Sequence, residues 1–192
     1  IRNEEKMRDL EFLNMQSSRK NDKKTSPAVT VAWGAMITAL ALVFSYVESL
    51  VPINFGIPGI KLGLANLAIV IAFVLLGGKK AYAISVIRIL LAGFLFGNLM
   101  SIGYSLAGGV LSLAVMLLMY CRFGMSLFSV SVAGGIAHNI GQLLIAMAVV
   151  ENLNLIYYAP VLLISGALTG LVIGVLSNVL LPVMKKAFHR LN

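Results

Sequence analysis

The chain has 192 residues, of which 59% are hydrophobic and only 11% are charged, and its formal net charge is +8. Charged residues make up about 25% of a typical soluble domain, so this composition excludes a protein whose surface faces water over most of its area. The basic residues lie at the ends of apolar runs and not in a patch interleaved with aromatic residues, which argues against nucleic-acid binding. The mean hydropathy of +0.95 instead favours an integral membrane protein.

The N-terminal region carries most of the charge. Residues 1–26 hold seven of the fifteen Lys/Arg and five of the seven Asp/Glu. Residues 1–27 are therefore predicted to form a basic, polar and disordered tail on the cytoplasmic side. Next to a membrane, such a tail fixes topology and attracts anionic lipids with about 1 kcal/mol per basic residue.

Six apolar runs follow the tail and predict an all-α transmembrane domain over residues 28–184. A helical crossing needs about 20 residues. The runs cover residues 28–51, 64–76, 81–96, 99–121, 127–150 and 155–183. The second run has 13 residues and spans about 20 Å, so we expect that helix to be tilted inside the bundle or to begin earlier in the preceding loop. Residues 185–192 are predicted to form a short basic C-terminus.

Charge placement predicts the orientation of this domain. With six crossings, thirteen Lys/Arg fall on the side of the two termini and one, Lys61, falls on the other side. Cytoplasmic loops carry the excess of Lys and Arg, so both termini are predicted to be cytoplasmic in a multi-pass protein of the cell membrane.

Catalytic and metal-binding patterns are missing from the apolar region. The two aspartates, Asp9 and Asp22, lie in the tail, so the membrane domain offers no Asp-rich magnesium site for diphosphate chemistry. The sequence contains no Walker A phosphate loop, no Cys/His cluster with metal-ligand spacing and no evident Ser/His/Asp set. We therefore expect no catalytic residue, no metal and no cofactor.

Three ionisable residues lie where lipid is expected: Glu48, Lys61 and Arg88. A charge in the bilayer is costly unless it is paired or hydrated. Arg88 is expected to act either as the counter-charge of an anionic ligand or as a structural residue satisfied by backbone carbonyls or by Glu48. The loop that carries Lys61 either caps a ligand pocket or anchors to lipid headgroups.

Polar residues in the fourth and fifth segments are further candidates. His138, Asn139 and Gln142 form a polar group near the middle of the fifth segment, where binding is favoured over proton transfer. Hydrogen bonding to a neighbouring helix is the alternative function of the histidine. Small residues in the fourth segment indicate helix packing. Asn98 and Tyr104 are the expected exceptions and complete the predicted ligand site.

The first segment carries a stripe of small residues that includes Ala32, Ala35 and Ala39. At about 100° per residue, Glu48 lies on the opposite side of the helix from Ala39. One face is thus predicted to dock a partner helix while the other faces the pocket, with packing inside the bundle as the alternative.

Several motifs together resemble a bacterial membrane family known as heptaprenyl diphosphate synthase component I or Gx transporter. They are ESLVP (48–52), GIKLGLAN (59–66), RILLAGFLFGNLMSIGYSLAGG (88–109) and AHNIGQLL (137–144). That family is similar to the substrate-binding S-components of energy-coupling factor transporters. The resemblance implies a six-helix fold and a stripe, matched by Ala35 and Ala39, that docks a transmembrane coupling protein linked to ATPase subunits.

These observations lead to one hypothesis and two alternatives. The chain is predicted to be a non-catalytic subunit that captures a small ligand from the outer side, the ligand being anionic or related to isoprenoids and quinones, as the family label suggests. The first alternative is a membrane accessory subunit of a prenyl diphosphate synthase. The second is a stand-alone ion-coupled transporter in which His138 and Glu48 carry protons.

Overall fold

The computed structural model describes residues 26–50 and 63–190, and this part of the chain contains six α-helices, one 3₁₀ turn and no strand. The predicted all-α bundle is confirmed. The helices are α1 (Pro27–Leu50), α2 (Leu64–Leu76), α3 (Gly78–Phe96), α4 (Leu99–Phe123), α5 (Leu127–Val150) and α6 (Ala159–Arg190), and the 3₁₀ turn covers Leu153–Tyr158.

Four of the helical stretches are long and apolar enough to cross a membrane: Pro27–Leu50, Leu99–Phe123, Leu127–Val150 and Leu153–Phe188. The two remaining helices are α2, with 13 residues, and α3, with three basic residues among its 19. The protein is therefore a membrane protein built as a helical bundle.

The short helix α2 forms the centre of the bundle. Nine of its 13 residues are buried, and α1, α3 and α6 pack around it. A helix that is apolar on all sides is stable only when other elements enclose it, and enclosure removes the need to match the thickness of the bilayer. The helix begins at Leu64, as predicted, and not within the preceding loop.

Local signals explain the helix ends. Pro27 occupies the first turn of α1, and the Ser26 hydroxyl accepts a hydrogen bond from the Val29 amide at 3.3 Å. Gly77 separates α2 from α3 with a positive φ of 86°, a backbone conformation that glycine adopts without strain. Lys79 and Lys80, predicted to lie in the connection, belong to the first turn of α3.

Helix α6 differs from the sixth predicted segment at both ends. Residues 155–158 belong to the 3₁₀ turn, and the helix continues through residues 185–190, which were predicted to form a separate terminus. Its 32 residues span about 48 Å, more than the roughly 30 Å hydrocarbon core. The predicted tail lies outside the described residues except for Ser26 and Pro27.

Glycines bring the backbones of α4, α5 and α6 into contact. A Cβ atom on Gly170 would lie 2.5 Å from the Ser131 carbonyl oxygen, and one on Gly166 would lie 2.6 Å from the Gly135 carbonyl oxygen. Between α4 and α5, a Cβ on Gly141 would lie 2.7 Å from the carbonyl oxygen of Ala107. Because lipid supplies little hydrophobic force between helices, this close van der Waals packing is a main source of their association.

Candidate functional site

A polar cavity of about 110 Å³ lies between the helices, and residues from all six helices line it. Its position is near the end of α1, the start of α2 and the α3–α4 connection, at the end of the bundle predicted to face outward. The polar residues that line it are Ser45, Glu48, Ser49, Asn66, Arg88, Ser101, Ser105, His138, Asn139, Gln142 and Thr169.

Arg88 is the buried cation of this cavity, with 8% of its surface exposed. Its Nη2 atom donates a hydrogen bond to Asn66 Oδ1 at 3.2 Å. Its Nε atom is buried and has no hydrogen-bond partner among the described residues. A buried donor without an acceptor is costly, more so when it belongs to a charged group, so the site favours an additional acceptor at this position.

Glu48 connects the end of α1 to the start of α2. Its Oε1 atom accepts a hydrogen bond from the Leu64 amide at 2.6 Å, 16 residues further along the chain. A carboxylate at this position also interacts favourably with the positive end of the helix dipole. Glu48 therefore supports the local fold while its carboxylate contributes to the cavity wall.

Helix α5 supplies three neighbouring polar residues. The Nδ2 atom of Asn139 donates to the Leu162 carbonyl oxygen at 2.7 Å, which ties α5 to α6 beside the cavity. His138 and Gln142 face α4, because a Cβ on Gly108 would lie 2.9 Å from His138 Cε1 and 3.0 Å from Gln142 Cγ. The glycine makes room for both side chains.

Five of the eight predicted site residues line this cavity: Glu48, Arg88, His138, Asn139 and Gln142. Asn98 and Tyr104 are placed elsewhere. The Asn98 Oδ1 atom accepts from the Ser101 amide at 2.8 Å and caps α4, while half-buried Tyr104 is not part of the cavity wall. Lys61 lies outside the described residues, so its predicted position stays a prediction.

The cavity wall also contains polar residues that were not predicted as site residues, among them Asn66, Ser105 and Thr169. Asn66 is the one polar residue of α2, and a lone amide in an otherwise apolar buried helix is a usable signal for a site. Ser105 and Thr169 lie among small residues whose pattern indicates helix packing, and nothing in the sequence separates the two functions.

A smaller cavity of about 20 Å³ adjoins the first one and shares Asn66 and His138 with it. Ser85, Ser112 and Ser131 line its wall, and the Ser131 hydroxyl is buried without a hydrogen-bond partner in the described part of the chain. This volume holds roughly one or two water molecules, which would satisfy the hydroxyl.

The residues described by the structure contain no group of three or more His, Cys, Asp or Glu side chains that could hold a metal ion. Among the described residues, the cavity wall offers hydrogen-bond donors and acceptors together with one buried cation, Arg88, and one carboxylate, Glu48. This chemistry suits the binding and orientation of a ligand.

Comparison with known proteins identifies the family of this chain. No curated protein and no solved structure matches the chain. The model of the family described as heptaprenyl diphosphate synthase component I matches residues 37–180, a range that includes every residue lining the two cavities. The chain is therefore a member of the heptaprenyl diphosphate synthase component I family.

Proposed function

We propose that this protein is a non-catalytic membrane subunit that captures a small ligand in the six-helix cavity and passes it to partner proteins for transport. The observation that carries this proposal is the buried Arg88 in the wall of a polar cavity, whose Nε donor lacks a partner among the residues that the structure describes. A protein that needed Arg88 only for packing would gain stability by satisfying that donor internally. The ligand is anionic or related to isoprenoids and quinones.

The proposed orientation places the cavity toward the outside of a bacterial cell membrane and both termini in the cytoplasm. The charge bias of the sequence supports this orientation. A ligand entering from outside would then meet Arg88 before it reaches the apolar centre of the bundle, and opening of the inner side would complete its transfer.

Partner proteins would supply the energy, as in the S-components that the family resembles. Ala32, Ala35 and Ala39 lie on the exposed face of α1, whereas Ile37 and Ala41 are buried against the bundle. Small exposed residues on a lipid-facing helix let a second helix approach closely. We therefore assign this alanine face to a transmembrane coupling protein that acts with ATPase subunits.

Native mass spectrometry of gently extracted protein tests ligand capture. The wild type should retain a small molecule that the Arg88→Ala variant loses, with at least a tenfold drop in occupancy, because truncating a buried charged partner costs about 2–5 kcal/mol of binding. The matched control is Arg122→Ala, which removes the same charge from an exposed position at the end of α4. Equal occupancy in all three proteins would contradict the proposal.

Partner docking is tested by replacing Ala35 and Ala39 together with tryptophan. The double variant should retain its ligand but lose most recovery of the coupling protein in a pull-down, because two large side chains prevent close helix approach. Val179→Trp, at an exposed site on α6, is the control and should leave recovery unchanged. Full uptake by vesicles that contain this chain alone would refute the need for partners.

A second candidate function is a membrane accessory subunit of a prenyl diphosphate synthase. The family description, which names a component of a synthase, favours it. The same pull-down separates the two candidates. For an accessory subunit, the recovered partner is a soluble catalytic chain, and the tryptophan exchanges on α1 leave its recovery unchanged.

A further inference from the structure

The donors of Arg88 indicate the chemistry of the ligand. The Nη2 atom donates to Asn66 at 3.2 Å, while the Nε donor has no partner among residues 26–50 and 63–190, although Arg88 is only 8% exposed. A guanidinium presents its donors in a planar fork whose geometry matches two oxygens of a carboxylate or phosphate group. The site is thus arranged for an oxygen acceptor that carries negative charge.

The remainder of the wall limits where that charge can lie. Glu48 is the acidic residue that lines the cavity, and one of its oxygens accepts from the Leu64 amide. A ligand that is anionic along its whole length would approach this carboxylate unfavourably. Gln142 offers an uncharged amide, and Asn139 and Thr169, which donate to backbone carbonyl oxygens of α6, retain oxygens that can accept. These groups suit a hydrogen-bonding body attached to one anionic end.

The size of the cavity limits the part of a ligand that it can enclose. Its volume of about 110 Å³ corresponds to roughly seven to eleven water-sized spheres. A heptaprenyl chain has about 35 carbon atoms, several times more than this space can enclose. The part of a ligand that the cavity encloses is therefore compact.

We propose that the cavity recognises a carboxylate or phosphate oxyanion at one end of a ligand, encloses only a compact polar part of that ligand, and uses Arg88 as the anion-binding residue. This inference rests on the proposed function and narrows its ligand class, since neither an uncharged quinone ring nor an enclosed isoprenoid chain fulfils it. The oxyanion belongs either to a free, water-soluble molecule or to the headgroup of a prenyl diphosphate whose chain stays outside the cavity.

Thermal unfolding of the protein in phosphatidylcholine nanodiscs tests the inference. The sample is first washed free of any bound molecule, as checked by native mass spectrometry, and the emission of the single tryptophan reports unfolding. The probes are inorganic diphosphate, succinate, farnesyl diphosphate and a short-chain ubiquinone. We expect at least one oxyanion probe at saturation to raise the Tm by about 4 °C or more, and ubiquinone to leave it unchanged.

Variants assign the effect to Arg88. The rise in Tm should disappear in Arg88→Gln, fall to less than half in Arg88→Lys, which keeps the charge but loses the fork, and persist in the exposed control Arg122→Gln. If Arg88→Gln does not fold, the test rests on Arg88→Lys. An undiminished rise in the Tm of Arg88→Lys on addition of the oxyanion probe overturns the inference.

The probes also separate the two sources of the oxyanion. Stabilisation by succinate or inorganic diphosphate supports a free soluble anion, whereas stabilisation by farnesyl diphosphate alone supports a prenyl headgroup. A wild type that responds to no oxyanion probe, or to ubiquinone alone, overturns the oxyanion inference. The proposed function survives that result if the molecule retained in native extracts still depends on Arg88, and it fails together with the inference if no molecule is retained.

Discussion

Replacing Gly170 with leucine should push α5 and α6 apart and lower the stability of the bundle by about 3 kcal/mol or more. The first side-chain carbon would lie 2.5 Å from the Ser131 carbonyl oxygen and 2.7 Å from the Val132 Cα atom. Both neighbours belong to the backbone, so no rotation of a side chain can relieve the contact. Circular dichroism during heating in nanodiscs measures the expected fall in Tm.

The matched control for this change is Gly103→Leu in α4, where a Cβ would meet no atom within 4 Å. That substitution should leave the Tm unchanged or raise it slightly, because leucine has a higher helix propensity than glycine. A Tm of Gly170→Leu within about 2 °C of the wild type would show that the α5–α6 contact yields easily, contrary to the packing described above.

Replacing Phe188 with alanine should have the second large effect, a loss of about 3 kcal/mol of stability. Its ring packs edge-on against Trp33, with the centroids 5.5 Å apart and the planes at 71°, and both residues are buried. The substitution leaves a cavity beside the indole and removes the aromatic pair that joins the C-terminal end of α6 to α1. Chemical unfolding measures the loss, and the emission of the single tryptophan should shift to longer wavelength.

Phe123→Ala is the control for this prediction. Phe123 lies at the end of α4 with 63% of its surface exposed, so its removal should change stability by less than about 0.5 kcal/mol and leave the emission of Trp33 unchanged. Equal losses in the two variants would show that hydrophobicity, and not the Trp33 contact, determines the stability of this end of the bundle.

The helices themselves could be predicted because each one leaves a local signature. Long apolar runs broken by glycine, proline or lysine identify α1, α4 and α5 with nearly correct ends. The end of the last helix was harder to predict from the sequence. Residues 185–190 look like a solvated basic terminus in the sequence, whereas the buried Phe188 anchors them to α1 and extends the helix.

The cavity could be predicted only in part. Periodicity places Arg88 on α3 and His138 on α5, and the cost of burying polar groups in a membrane indicates that both face the bundle interior. Neither signal reveals which faces of different helices meet. Asn98 lies three residues before Ser101, yet Asn98 caps the helix while Ser101 lines the cavity, and only the arrangement of α3 and α4 decides between them.

The glycine contacts join one half of the bundle more tightly than the other, and this limits where larger residues can be accommodated. Helices α4, α5 and α6 meet through glycine backbones, so almost any larger residue at Gly141, Gly166 or Gly170 is excluded. Arg88 and Asn66 lie on α3 and α2, outside this tightly joined half. Under the proposed function, substitutions at Arg88 and Asn66 can therefore alter the anion-binding end of the cavity without loss of the fold, while the polar residues that α5 and α6 contribute to its wall keep their positions on the glycine-packed half.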